Sequence, residues 1–469
     1  MPRSFFFALR PARLRMKSSA LLLLASVALA ASAARGAAPA PAPLPDPLDL
    51  KGAIIYALDH NFPILQAREQ IRQQEGVVMQ VQAPGIPNLS ANGNYQRNAA
   101  STNPGFLSST SNWSAELRVT QTLFAGGGIH ASVRNARLVR EAALAALQAT
   151  IDAALLDVRT KFYSVLLARE KVRVQEENIH LFQGQLKDSQ NQFHAGTVSN
   201  FELLRAQVSL ANAQPDLITA RNDLRIAIEQ LRQSLGVPPA RGPGAPAFPQ
   251  LSGSLEYAPA QYDLDSALVA ARTNRPELQQ LSKLEEAGEQ GVVTARSTYY
   301  PNVGLFGGYE WDGEELPSNG FTGIPGLVLP SSYSGHGWLA GVQSNWSIFD
   351  GRATAGKVVQ AKSQLRQAQL TQSQEGLQIE VDVRQAFSSW EEANELVNAT
   401  QKTVEQAVEA LRLANNRFKA GSATQLDVLT SQVALTQART NQLQANYNNL
   451  VAVAAMRKAI GQSDALVSP

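Results

Sequence analysis

The second half of this chain repeats the first half, and this duplication limits the folds open to it. The segment Phe193–Thr197 (FHAGT) recurs 225 positions later as Phe418–Ser422 (FKAGS), and the same offset relates Gly236 to Gly461. Nearer the N-terminus the offset falls to 213 or 214, so the second half holds about 11 additional residues, a length read from the aligned sequence. A chain built from two such units is more typical of an assembly component than of an enzyme.

The N-terminus has the layout of an export signal. Its first 17 residues include five basic and no acidic residues, and the apolar run Leu21–Ala30 and the small residues Ala31–Ala33 follow. This order predicts a cleaved signal peptide over 1–33; a short membrane anchor is the alternative, although the run is short for a span. The Ala/Pro-rich residues 34–47 predict a flexible leader. The chain has no cysteine, so we expect neither a disulfide nor a lipid-carrying N-terminal cysteine.

Bulk properties exclude several functions. A net charge of +2 gives no electrostatic reason to capture nucleic acid. Beyond the N-terminal signal no run of about 18 apolar residues occurs, so no transmembrane helix is expected. If the exported chain meets a membrane, strands must make the contact.

Each half follows one order of elements: helix, two strands, a very long helix, a turn and a returning helix. The predicted repeats cover 48–236 and 263–462; a proline-rich linker, 237–262, joins them, with a short strand expected near 248–255, and residues 463–469 form a tail. Residues 129–193 contain no proline, and their large apolar residues recur at steps of three and four. That spacing predicts a helix with a coiled-coil seam. At about 1.5 Å per residue it would be about 100 Å long, more than an ordinary globular core.

Four segments alternate between apolar and polar residues, at about 88–98, 112–124, 302–312 and 337–349. Leu123 is expected to share the apolar face of the second segment. Each has the length that a tilted strand needs to cross a bilayer, and aromatic residues near strand ends are typical of a membrane barrel. The alternative is a half-buried sheet of a soluble domain. The predicted aromatic girdle comprises Tyr95, Trp113, Tyr309, Trp311, Trp338 and Trp346.

Four strands are too few to close a barrel, and an open sheet edge is not tolerated in lipid. Several chains must therefore pool their strands. Three chains would supply twelve, enough for an aqueous lumen. The predicted fold class is mainly α with membrane β: as a trimer, the duplicated helix–strand–strand–long helix–helix unit forms a 12-stranded β-barrel continuous with an α-helical barrel.

The turns between the long helices carry a family resemblance. Gln192–Gly196 precedes Glu202, and Arg417–Gly421 precedes Asp427; in both, an aromatic residue is followed by glycine three residues later and by an acid six residues after that. With the duplication and the element order, residues 48–462 resemble the TolC-type outer-membrane efflux proteins.

The resemblance implies a homotrimer in outer-membrane lipid that extends into the periplasm. It implies a passive exit duct of a tripartite efflux or type I secretion system. Its partners would be a periplasmic adaptor (membrane fusion) protein and an inner-membrane pump of RND or ABC type, with no nucleic acid.

The resemblance also implies roles at the helical tips. Asp427 would face the lumen at the periplasmic constriction, where three copies form a cation-selecting ring. Thr430 stands where a second acidic ring often lies, and Glu202 is the first-half counterpart of Asp427. The alternative for both acids is a favourable interaction with a helix N-terminus. Some relatives have a basic gate residue where Ala423 stands here, so a locking salt bridge is not carried over, and Arg417 is the substitute.

The turns are expected to dock the adaptor. Glycine allows the left-handed conformation that the turn needs, and the two phenylalanines can pack as hydrophobic stops. The alternative is that these residues only form a turn. The predicted tip and docking residues are Phe193, Gly196, Thr197, Arg417, Phe418, Gly421, Ser422 and Thr424.

Motifs for catalysis are missing from the sequence. None of the five histidines lies at metal-ligand spacing from another ligand, and neither a G-x-S-x-G nor an H-E-x-x-H pattern occurs. We expect no enzyme activity, catalytic residue, metal or cofactor. Two other readings remain: a soluble periplasmic coiled-coil adaptor or spacer, which has no use for the strands, and an enzyme on a helical scaffold, which would need a cluster of reactive residues.

Overall fold

The computed structural model describes residues 44–97, 111–238, 248–257, 259–315 and 332–462. The expected signal peptide, most of the leader and the expected tail lie outside these ranges. The elements are α1 (Leu50–His60), α2 (Phe62–Gln82), a 3₁₀ turn (Ala83–Gly85), β1 (Asn88–Arg97), β2 (Ser111–Ala125), α3 (Gly128–His194), α4 (Asn200–Ser234), α5 (Leu264–Asn274), α6 (Pro276–Ser297), β3 (Asn302–Glu315), β4 (Ser332–Asn345), α7 (Ala353–Lys419) and α8 (Gln425–Ala459).

Two long hairpins dominate the fold. Helices α3 and α7 have 67 residues each, and each returns through a helix of 35 residues, α4 or α8. Helix α3 also packs against α8, so the helices lie in the order α4-α3-α8-α7 at the tips and α2-α3-α6-α7 near the sheet. Within the described ranges, no helix combines the length and apolar character needed to cross a membrane.

Each returning helix abuts a junction between two short helices. In the first repeat, Asn61 lies between α1 and α2; its side-chain nitrogen donates to the Ser234 carbonyl oxygen (2.7 Å), and its side-chain oxygen accepts from the Ile64 amide (3.3 Å). In the second repeat, the Arg275 guanidinium donates to the Lys458 carbonyl oxygen (3.3 Å). The C-terminus of α4 therefore meets the N-terminus of α2, and α8 meets α6 in the same way, with one carbonyl group in the last turn of each returning helix bound by a side-chain donor.

The largest apolar core lies at the first of these junctions. Phe162 and Leu166 of α3 pack against Leu231 of α4, and Leu48 and Leu255 close the cluster. A smaller cluster at the second junction includes Ile379, Val383 and Met456.

Two expectations near the first junction were wrong. The last residues of the leader are not free: Leu44 packs against the core, and the Asp46 carboxylate accepts from the Gln250 amide (3.3 Å). In place of a strand near 248–255, the described residues form one parallel bridge between Leu48 and Leu251. Leu251 uses its carbonyl oxygen to accept from the Arg169 guanidinium (2.8 Å), which leaves less of this segment available for a ladder.

The four strands form one antiparallel sheet in the order β1-β2-β3-β4. The register aligns their alternation, so one face is apolar and the other is polar. The apolar face carries Leu89, Ala91, Tyr95, Trp113, Ala115, Leu117, Val119, Val303, Leu305, Tyr309, Trp311, Trp338, Ala340 and Val342. The polar face carries Asn92, Asn94, Ser114, Glu116, Arg118, Thr120, Glu310, Asp312 and Gln343.

The strand ends differ from the expectation in three places. Strand β4 runs over Ser332–Asn345, so Trp346 lies beyond its last residue, whereas Trp338 lies in the middle of the strand, opposite Tyr309. The register shifts between Thr122 and Phe124, which takes Leu123 out of the alternation. Residues 313–315 and 332–335, which lie between the predicted strands 302–312 and 337–349, also belong to β3 and β4; the residues between them lie outside the described ranges.

We predict that Gly236→Ala destabilises the protein far more than Gly127→Ala. Both glycines have positive φ, 74° and 77°, but a Cβ at 236 would collide with the His60 carbonyl, whereas a Cβ at 127 meets nothing within 4 Å. The second-repeat counterpart of Gly127 is Arg352, which already adopts φ 73°. We expect about 1 kcal/mol for the control and at least about 2 kcal/mol for Gly236→Ala, measured by chemical unfolding in detergent. Equal losses would contradict the end-to-end packing.

Candidate gate at the helical tips

The two tip turns share one geometry. In the first, the Gly196 amide donates to the Phe193 carbonyl oxygen (2.9 Å) and the Thr197 amide to the Gln192 carbonyl oxygen (2.9 Å). In the second, the Gly421 and Ser422 amides bond the Phe418 and Arg417 carbonyl oxygens in the same way, at 3.0 and 2.9 Å. Both glycines have positive φ, 73° and 74°, as this helix C-cap requires.

The two acids beyond the turns do different things. Asp427 forms a reciprocal capping box with Thr424: the carboxylate oxygen Oδ2 accepts from the Thr424 amide and hydroxyl (both 2.8 Å), and the Asp427 amide donates to the Thr424 hydroxyl (3.3 Å). These bonds, first from the backbone and then from the side chain of Thr424, with a smaller attraction from Arg417, lower the pKa of Asp427 from its usual 3.8.

Glu202 caps its helix less completely. Its amide donates to the Ser199 hydroxyl (3.4 Å), but its carboxylate pairs with the Arg205 guanidinium (3.7 Å) on the next turn. Arg205 also lies over the ring of Phe201, at 5.0 Å from its centroid. The two repeats therefore share the same backbone turn but differ in side-chain contacts. The Glu202 carboxylate pairs with Arg205, whereas the Asp427 carboxylate bonds Thr424 and is exposed beside the second turn.

The predicted docking residues lie where the sequence placed them, at the ends of the hairpins. Phe418 lines a groove with α3 that includes Leu181 and Gln192, while Phe193 remains 38% exposed in the protomer. The Arg417 guanidinium donates to the Ser422 carbonyl oxygen (3.3 Å), across its own turn. Thr430 is exposed and one turn beyond Asp427. The exposed turn residues are Gly196, Thr197, Gly421, Ser422 and Thr424.

A buried polar seam between α3 and α8 was not predicted. Close to the tips, the Gln425 side-chain nitrogen donates to the Ser189 hydroxyl (2.8 Å), and both residues are buried. Farther along, the Asn178 side chain accepts from Gln432 (3.4 Å) and from the Thr436 hydroxyl (3.1 Å). Two glutamines seven residues apart on one apolar seam were the available signal, because a polar residue at such a position fixes helix register. The seam joins the two hairpins of one protomer.

Comparison with known proteins identifies relatives that share this architecture. A family model described as "Outer membrane efflux protein" matches residues 54–237 and 267–462, which is most of the chain.

Curated relatives match over similar lengths. Nodulation protein T of Rhizobium leguminosarum bv. trifolii is 23% identical over 83% of this chain and 80% of its own. Cobalt-zinc-cadmium resistance protein CzcC of Cupriavidus metallidurans is 27% identical over 84% of this chain and 85% of its own. A crystal structure of CusC, described in connection with transmembrane channel formation, superposes with a TM-score of 0.71 at 19% identity and covers 88% of this chain and 92% of that one. That similarity shows the fold.

We predict that acid loosens the second tip. A carboxyl group whose pKa is lower in the folded than in the unfolded protein stabilises the folded state at pH values above its unfolded pKa. This stabilisation is lost as the pH falls through the pKa of the folded protein. A spin label on Lys419→Cys, introduced into this cysteine-free chain, should therefore gain mobility below about pH 4.

The Asp427→Asn variant provides the control for this experiment. The label should already be mobile at neutral pH in that background, with little further change in acid. An acid transition of the same size in the Asp427→Asn variant would show that the capping box is not its cause.

Proposed function

Since the chain belongs to the outer membrane efflux protein family, we propose that it is the outer-membrane exit duct of a tripartite efflux or type I secretion system. It is a passive trimeric channel-tunnel. Cargo passes from an inner-membrane pump and a periplasmic adaptor across the periplasm and the outer membrane. The observation that carries this function is the direct continuity of an amphipathic four-stranded sheet with helices of 67 residues.

The sheet explains why the duct needs more than one chain. Among the described strands, β1 and β4 are edges, each paired on one side only. The apolar face is also left open in the protomer: Trp338 is 80% exposed, Leu89 70% and Val342 67%. Lipid would cover that face, and pairing of β4 with β1 of the next protomer would close the edges. The polar face then lines the lumen.

We place the barrel in the outer membrane and the hairpins in the periplasm. An export signal at residues 1–33 would be cleaved, and the absence of cysteine leaves no site for N-terminal lipidation. The tips would meet the adaptor, and neither they nor the duct would perform catalysis. The name of CzcC connects that relative with cobalt, zinc and cadmium, whereas the name of Nodulation protein T specifies no cargo, so we assign no cargo to this chain.

We assign the cation-selecting ring to Asp427. Its exposed carboxylate uses Oδ2 in the capping box, which leaves Oδ1 available to a cation. Three copies around the threefold axis would concentrate negative charge at the narrow end of the tunnel. Thr430 adds a hydroxyl but no charge, and Glu202 is already paired with Arg205. The girdle would comprise the aromatic residues on the apolar face, with Trp346 at the periplasmic end.

We predict that Asp427→Ala weakens block of the pore by a trivalent cation by about tenfold or more in planar bilayers. The matched control is Thr424→Ala, which removes the cap but keeps the carboxylate. Block should be nearly normal in the control. Equal weakening in both variants would indicate that tip structure, and not the charge of Asp427, controls block.

We predict that Gly421→Arg abolishes export while the trimer remains intact. A charged side chain at the turn would obstruct the adaptor contact. Gly351→Arg is the control, because Gly351 also has positive φ (64°), a Cβ at that position would meet nothing within 4 Å, and it lies at the other end of the helix. The measurement is complementation of a deletion strain against a compound to which the deletion makes it sensitive. Normal complementation by Gly421→Arg would show that this turn is not part of the adaptor docking surface.

A further inference from the structure

A dense group of exposed cations lies immediately beneath the sheet. We call it the basic collar: Arg134, Arg137, Arg296, Arg352, Lys357 and Lys362. Residues 126–140, 290–300 and 349–374 at the sheet ends of α3, α6 and α7 contain a single acid, Asp350; the next acids at this end of the molecule are Glu289 of α6 and Glu75 of α2.

The position of the collar follows from helix geometry. Arg137 and Lys362 are each nine residues after the first residue of their helix, so they lie about 14 Å from the strand–helix junction. Arg296 is the penultimate residue of α6, and Arg352 directly precedes α7. All six cations therefore fall within one layer, roughly 15 Å deep, below the sheet.

The collar cations have no carboxylate partner within the described part of the protomer. The nearby acid, Asp350, accepts from the Thr354 amide (2.7 Å) and hydroxyl (2.5 Å), so it caps α7. Deeper along the same helices the cations are paired: Arg140 contacts Glu75 (2.8 Å), and Lys283 contacts Glu286 (3.0 Å). Glu289, eight residues before the end of α6, is a second acid in this layer, so the six collar cations, Asp350 and Glu289 give a formal excess of four positive charges per protomer.

An exposed apolar band separates the collar from the sheet. Phe349 is 84% exposed, Ile348 83%, Tyr300 58% and Trp346 55%. The Trp346 ring nitrogen donates to the Tyr299 carbonyl oxygen (3.1 Å), which fixes the indole at this level. From the sheet downward, the order is apolar face, aromatic band and cations. This is the order of hydrocarbon, interface and anionic headgroup in a leaflet.

The α3 members of the collar project away from the neighbouring helices. The Asn135 side chain donates to the Ala287 carbonyl oxygen (2.6 Å), and the Ser132 hydroxyl contacts the Thr294 hydroxyl (3.4 Å), which orients one side of α3 toward α6. Arg134 and Arg137, three residues apart, share another side and are exposed. Their side chains are available to a ligand that approaches the wall of the tunnel.

We propose that the basic collar binds anionic phospholipid headgroups of the inner leaflet of the outer membrane. The phosphodiester supplies the negative charge, and the acyl chains lie against the aromatic band and the sheet. This inference rests on the proposed function, because it needs the sheet to lie in that membrane. The bound lipids would fix the depth of the barrel and the angle at which the tunnel leaves the bilayer.

The test compares two full-length variants with the same change in charge. In the collar variant, Arg134, Arg137, Lys357 and Lys362 are replaced by Gln; in the control variant, Lys187, Arg221, Arg225 and Lys402, which are exposed and remote from the sheet, are replaced by Gln. The apparent affinity of each purified trimer for phosphatidylglycerol and for phosphatidylcholine is measured by native mass spectrometry of lipid-doped micelles. A parallel series in vesicles is run at low and high salt.

We expect the collar variant to bind phosphatidylglycerol at least about tenfold more weakly than the wild-type protein, with the control variant unchanged. Phosphatidylcholine binding should be alike in all three proteins, and salt should reduce the preference for phosphatidylglycerol. Unchanged phosphatidylglycerol binding would overturn the proposal. A change in pore ion selectivity without a change in lipid affinity would also overturn it, because the cations would then face the lumen.

Two further readouts separate other causes. Displacement of the lipid by an equal concentration of inorganic phosphate would make this a site for free phosphate and overturn the proposal. If the collar variant loses phosphatidylglycerol binding but its trimers still insert and conduct in phosphatidylcholine alone, the lower affinity supports the proposal that the collar binds anionic lipid. If phosphatidylglycerol affinity is unchanged and conduction is normal, the lipid-binding proposal is overturned while the proposed function as an exit duct is not. A wild-type chain that inserts into no bilayer would overturn both.

Discussion

The structure depends on one requirement: the backbone polar groups along the edges of a four-stranded sheet must find partners. In lipid no water is available to satisfy them, so β1 and β4 cannot remain edges. A closed threefold arrangement meets this requirement and also hides the polar face that carries Glu116, Arg118 and Glu310. The long helices then have to surround the threefold axis as well, because each strand pair continues into them.

The strand-to-helix connection transmits that arrangement to the tips. After β2, Gly126 and Gly127 take positive φ values, and Ser297 at the end of α6 lies against this turn. After β4, Gly351 and Arg352 do the same. From there α3 and α7 run unbroken to the two tip turns. The end-to-end junctions at Asn61 and Arg275 allow four shorter helices to cover the same length in two pairs.

The sequence predicted the repeating parts well and the asymmetric parts poorly. Apolar periodicity predicted the first long helix over 129–193, within one residue of the observed Gly128–His194, and the repeated glycines marked both tip turns. Prediction from the sequence failed where a contact between distant residues determines where a strand ends. Trp346 continues the alternation of β4, but its indole bonds the Tyr299 carbonyl oxygen beyond the strand. Leu123 falls in a bulge that only the pairing with β3 reveals.

The site shows the same division. The shared spacing made Glu202 the first-half counterpart of Asp427, but Arg205 pairs with the Glu202 carboxylate, whereas Thr424 orients that of Asp427. The sequence also gave no direct sign that Gln425 would meet Ser189, because that contact joins residues 236 positions apart. The two tips therefore differ in the local partner of each acid, three residues away along its own helix, and in the Gln425–Ser189 contact between the hairpins.

The central claim is that three chains pool their strands into one membrane barrel. The most direct test is the mass of the protein after extraction from the outer-membrane fraction in detergent, corrected for bound detergent. The account predicts a particle of three chains that requires detergent to remain in solution. A monomer or dimer that stays in solution without detergent would contradict it and favour a periplasmic coiled-coil protein.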